Sequence, residues 1–129
     1  MRLWLCACFA VISGFNSPVM AASPFDGTWS AHVAGLSIGD QDLTIVLTSD
    51  DDGRVTGSLA GQSDAELTIV WGFVKGDVIV FKVDVSMAND RLLPFVYVGR
   101  IEGEQVAFGR RPEDLSVGRL VEFTAQRTR

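Results

Sequence analysis

Cysteine is scarce in this chain, and its placement removes it from the part that folds. Cys6 and Cys8 both fall within the first 22 residues. In that segment Arg2 supplies a positive start, residues 3–15 are apolar and uncharged, and Val19-Met20-Ala21 offers the small residues a signal peptidase reads. The apolar core is too short to span a bilayer, so the segment reads as a secretory signal peptide cleaved after Ala21 or Ala22. The expectation is a leader over 1–22 and one exported domain over 23–129, periplasmic or extracellular. With no thiol after residue 22, that domain has no disulfide, no thiolate nucleophile and no cysteine–zinc site. About 107 residues remain, enough for one core, and that core holds without a covalent staple.

Basic residues and histidine are also few. Loss of Arg2 with the leader leaves ten basic and sixteen acidic side chains, a net charge of −6. Nucleic acid and anionic membrane both need a basic face, so neither fits as a partner. His32 is the only histidine, which excludes a histidine-rich metal site. Ser30 shares its strand face, but side chains two apart on a strand diverge and make no nucleophile–base pair. His32 therefore reads as a surface-facing residue opposite Trp29. Asp50, Asp51 and Asp52 point in different directions, lack calcium-loop spacing and read as a solvated hairpin tip. Asp77, Glu102 and Glu104 fall in turns, where acids are common, and with Asp84 they outline no acid/base pair. No enzyme, metal or cofactor is expected.

Helical periodicity is missing after the leader. What is present is alternation and tight turns. Residues 66–81, ELTIVWGFVKGDVIVF, join two β-rich apolar runs through Lys75-Gly76-Asp77. Ile101-Glu-Gly-Glu-Gln-Val-Ala-Phe108 repeats the spacing of Val74-Lys-Gly-Asp-Val-Ile-Val-Phe81. Trp29, Ala31 and Val33 share one strand face; so do Leu43, Ile45 and Leu47; Ile79, Phe81, Val83 and Val85; Phe95, Tyr97 and Ile101; and Val121, Phe123 and Ala125. Eight strands are predicted, over 27–33, 43–49, 54–59, 67–74, 78–87, 95–101, 105–110 and 119–126. Joined by short connections, they make an antiparallel meander that closes most simply into an up-and-down barrel; a two-sheet sandwich is the alternative. Lys82, Asp84, Arg100 and Glu122 fall outward and no aromatic ends the chain, which argues against an outer-membrane barrel.

Gly27-Thr28-Trp29 in the first strand, the eight-strand meander and Arg127 near the end of the last strand resemble the calycin superfamily, which includes lipocalins and avidins. Asp52-Gly-Arg-Val-Thr-Gly57, Val74–Phe81, Tyr97-Val-Gly99, Ile101-Glu-Gly-Glu and Phe123-Thr-Ala-Gln-Arg127 resemble bacterial secreted lipocalin-like domains. The resemblance implies a barrel with Arg127 packed across Trp29 at one end, making Gly27, Trp29 and Arg127 structural. Avidin's biotin site is not matched: Leu59 stands where its ligand tyrosine would be, and only Trp29 and Trp71 follow the leader.

Trp71, Tyr97, Arg91, Arg110 and Arg111 are the candidate ligand-binding residues. The arginines are the only local basic group beside the longer connections 34–41, 88–94 and 111–118, which share one end of the meander with connection 60–64. Two functions follow from this. One is a monomeric binding module taking a small apolar or aromatic molecule at the barrel mouth. The other is a protein- or saccharide-interaction module, for example protease-inhibitor-like, with a filled core.

Overall fold

Period-two burial and glycine-bearing turns assemble eight strands in chain order. They are β1 (Gly27–Val33), β2 (Gln41–Ser49), β3 (Val55–Ala60), β4 (Glu66–Lys75), β5 (Val78–Ser86), β6 (Leu92–Glu102), β7 (Gln105–Pro112) and β8 (Val121–Arg127). The computed structural model describes residues 23–34, 40–61, 66–86 and 90–128; the proposed leader lies outside them. Each strand pairs antiparallel with the next, and β8 returns to β1 through Trp29↔Arg127 and Ala31↔Ala125. The sheet is thus a closed barrel rather than a sandwich, and closure leaves no free edge for another chain to extend. A 3-10 turn, Leu115–Val117, lies between β7 and β8, with the Asp114 carboxylate accepting from the Ser116 N–H at 2.9 Å.

The inward faces are those expected from alternation. Trp29, Val33, Ile45, Ile79, Phe81, Val83, Val106 and Ala125 are fully buried. Phe81 stacks on Tyr97 at 4.9 Å and Phe108 on Phe123 at 5.4 Å, with edge contacts joining the two stacks. Offset stacks and edges are the arrangements aromatic quadrupoles favour, and they fill the middle of the barrel. In β3, between the buried Val55 and Leu59, Gly57 has φ of 150°, and a Cβ there would lie 1.9 Å from the Val46 carbonyl oxygen. Only glycine allows β3 to approach β2 this closely.

Three local features depart from the sequence reading. β6 begins at Leu92 and takes in Pro94, whose carbonyl accepts from the Glu113 N–H at 2.9 Å. Near a strand's start, the ladder tolerates the donor that proline lacks. β7 runs on through Arg111 to Pro112. In β4 the register against β5 shifts between Ile69 and Trp71, so Val70 and Trp71 are both exposed. Such a bulge re-aims the side chains that follow it, and here it turns Trp71 and Phe73 outward.

Strand direction sorts the connections into two groups. The turns after β2, β4 and β6 lie at the end where β1 starts, and those after β1, β3, β5 and β7 at the other. This is the division expected from counting strands.

Candidate functional site

Two inward arginines, one at each end, define the barrel's chemistry. At the end where β1 starts, residues ahead of the strand fold under the barrel. Phe25 is fully buried, and the Trp29 indole N–H donates to its carbonyl at 2.8 Å. The Asp26 carboxylate accepts from the Ser49 N–H at 2.9 Å and its hydroxyl at 2.7 Å. Arg127 stacks over Trp29 at 4.3 Å and donates to the Asp26 carbonyl at 2.9 Å and the Pro24 carbonyl at 2.7 Å. Glu104 lies 3.7 Å from its Nε. Gly27, with φ of 129°, leaves room for the guanidinium, since a Cβ there would sit 2.9 Å from Nη1. Among the described residues, Arg127, Trp29 and Asp26 all have partners here, and together they plug this end.

Arg110 sits at the opposite end and is not matched in this way. Along β7 the side chains alternate: Val106, Phe108, Arg110 and Pro112 inward, Ala107, Gly109 and Arg111 outward. Arg110 pairs across the sheet with Tyr97 on β6 and Val121 on β8. Its guanidinium carbon lies 4.2 Å from the Phe95 ring centre. Its Nε is buried without a hydrogen-bond partner. Among the described residues, no ion pair joins it to a carboxylate. Tyr97 is 4% exposed; burial raises its ionisation above the ordinary range, and the Arg110 charge and hydrogen bonding to Arg110 offset part of that rise. Leu43, Leu67, Val85, Phe95 and Val121, half-buried and packed on the core, lie on the strand ends at this same end of the barrel. The stacked aromatics form its floor. Among the described residues, Arg110 is thus a cation set among apolar side chains, beside one phenol. Residues 35–39, 62–65 and 87–89, parts of three connections at this end, lie outside the described residues.

The structure brings Arg110 and Tyr97 together and leaves the other candidates elsewhere. Arg111 points outward, its Nη1 donating to the Pro112 carbonyl at 3.3 Å. Arg91 is exposed just ahead of β6, after Asp90 with φ of 59°. Trp71 is 55% exposed on the outer wall, across from Lys82. The three arginines therefore do not form one basic group. Phe95, which stacks on Arg110, was legible only as a member of the inward aromatic set. A shallow outer trough of about 480 Å³, where Ala107 and Gly109 leave space between Val98 and Thr124, had no sequence signal.

The remaining polar clusters have local roles. Asp50 accepts from the Asp52 and Arg54 N–H groups at 2.9 and 3.0 Å and shapes its turn. Asp77 pairs with Arg100 at 3.0 Å and Glu113 with Lys82 at 3.6 Å. No cluster of three metal-ligating side chains occurs among the described residues. His32 lies between Asp42, 2.8 Å from Nδ1, and Asp40, 3.4 Å from Nε2. Hydrogen bonding to Asp42 first, and then to Asp40, raises its pKa above 6.5. A raised folded pKa means that the charged ring favours the folded state. This contribution is full below the unfolded pKa and disappears as pH rises through the folded one. Proton NMR of this sole histidine is expected to give a midpoint above 6.5, lowered in Asp42→Asn; a midpoint at or below 6.5 in the parent chain contradicts the pairing.

No protein-family model matches the chain, and no curated protein matches it either.

Proposed function

We propose that this chain is an exported, non-enzymatic binding module of the calycin-like kind, which holds a small ligand around Arg110. The leader-like first 22 residues support export, and the Gly27-Thr28-Trp29 and Arg127 pattern in an eight-strand barrel supports the calycin-like reading. The observation that carries the binding role is the buried, unpartnered Nε of Arg110. Leaving a buried donor unmade costs about 1–3 kcal/mol, a cost that a ligand group placed there removes. Ligand sites are mostly apolar with a few placed polar groups, and the surroundings of Arg110 have that composition.

A second reading, a protein partner docked on the outer wall, rests on Val70, Trp71, Phe73 and Val98, all exposed. A small-molecule fragment screen followed by amide-shift mapping separates the two. Shifts are expected at Leu43, Leu67, Val85, Phe95, Tyr97, Arg110 and Val121. Shifts confined to the Trp29 end or to the outer wall contradict the proposal.

A further inference from the structure

We infer that the outer wall carries both halves of a self-association contact, in which the Trp71 and Phe73 ridge of one copy seats in the β7 trough of a second copy. The barrel is closed, so copies cannot join through a strand edge and must meet through side chains on the wall. The strand registers place Arg54, Phe73, Val80, Val98, Gly109 and Glu122 in one row across that wall, from just ahead of β3 round to β8. The first half of the row is a ridge. The bulge in β4 turns Trp71 outward beside Phe73, and the two are 55% and 43% exposed. The second half is the trough. Ala107 and Gly109 on β7 leave about 480 Å³ open between Val98 on one side and Glu122 and Thr124 on the other.

The two halves match in size and charge. With two barrels side by side, axes parallel and β4 facing the second copy's β7, β5 faces its β6 and β3 its β8. Phe73 then lies over Gly109 of the second copy, Val80 over Val98 and Arg54 over Glu122. A ring meets the residue with no side chain, valine meets valine, and a cation meets a carboxylate. Among the described residues, neither Arg54 nor Glu122 has an ion-pair partner within its own chain. Trp71 falls one row along, over the outward Arg111, whose guanidinium suits the face of an indole. The contact joins two different patches, so each added copy brings a free ridge or a free trough, and association continues past the dimer.

Sedimentation velocity of the protein, expressed from the full chain, tests this. The parent is expected to show an average mass that rises with concentration beyond that of a dimer. Trp71→Ala with Phe73→Thr removes the ridge, and Ala107→Trp fills the trough. Each variant alone is expected to stay monomeric. Mixed in equal amounts, they are expected to form a one-to-one dimer and nothing larger, because one ridge and one trough remain between them. Arg54→Glu and Glu122→Arg serve if the tryptophan variant does not fold. Each is expected to weaken association about tenfold, and their mixture to regain it. A parent chain that stays monomeric up to about 1 mM would overturn the inference. So would association that persists in the ridge or trough variant, or mixtures that behave as their separate components.

Discussion

Replacing Trp29 with alanine is expected to lower the stability of the barrel by about 3–5 kcal/mol. Trp29 is fully buried, so the change opens a cavity the size of an indole at the closed end. It also removes the donor to the Phe25 carbonyl and the ring under Arg127. No cysteine follows residue 22, so no disulfide limits the loss. Domains of this size are stable by only about 5–15 kcal/mol, so the loss is a large share of the total. Urea denaturation measures it, with Trp71→Ala as a control in the same molecule. Trp71 is 55% exposed on the outer wall, and its removal is expected to change stability by less than about 1 kcal/mol. A Trp29→Ala midpoint equal to that of the parent chain would show that the plug does not hold the barrel.

What could be read from the sequence depended on how sharply a strand distinguishes its two faces. β2 alternates Leu43, Thr44, Ile45, Val46 and Leu47, and β5 alternates Phe81, Lys82, Val83 and Asp84. Their inward sides follow from period two alone, and both are as observed. The hairpin glycines Gly53, Gly76 and Gly103 all have positive φ, which is why short turns marked one end so clearly. In β4, by contrast, Leu67 to Val74 is apolar on both sides. A bulge between Ile69 and Trp71 leaves no trace in such a run, so the direction of Trp71 was illegible.

The candidate site was half legible for a related reason. Arg110 and Arg111 are adjacent in sequence, and adjacent strand residues face opposite ways. That rule applies to Arg111 only once β7 is seen to continue to Pro112, and proline is an ordinary signal that a strand has ended. The packing of Arg127 on Trp29 is as the resemblance implied, but the rest of the plug was illegible because it is built from separated contacts. Asp26 meets Ser49, and Arg127 meets Pro24 and Asp26 from the far end of the chain. No local pattern encodes those pairs.

The central claim is that the two inward arginines divide the work, Arg127 holding the fold and Arg110 holding a ligand. Replacing each with methionine keeps the apolar length of the side chain and removes the charge. Arg127→Met strips two charge-assisted hydrogen bonds from the Pro24 and Asp26 carbonyls and a cation–π contact from Trp29, and is expected to cost about 2–3 kcal/mol. Arg110→Met removes a buried Nε that has no partner, which offsets the lost cation–π contact to Phe95 and the lost hydrogen bonding to Tyr97. The measurement is urea denaturation of the two variants without ligand, side by side. The predicted result is a clear loss for Arg127→Met, with Arg110→Met within about 1 kcal/mol of the parent chain. An Arg110→Met loss as large as that of Arg127→Met would make Arg110 a second structural arginine and contradict the account.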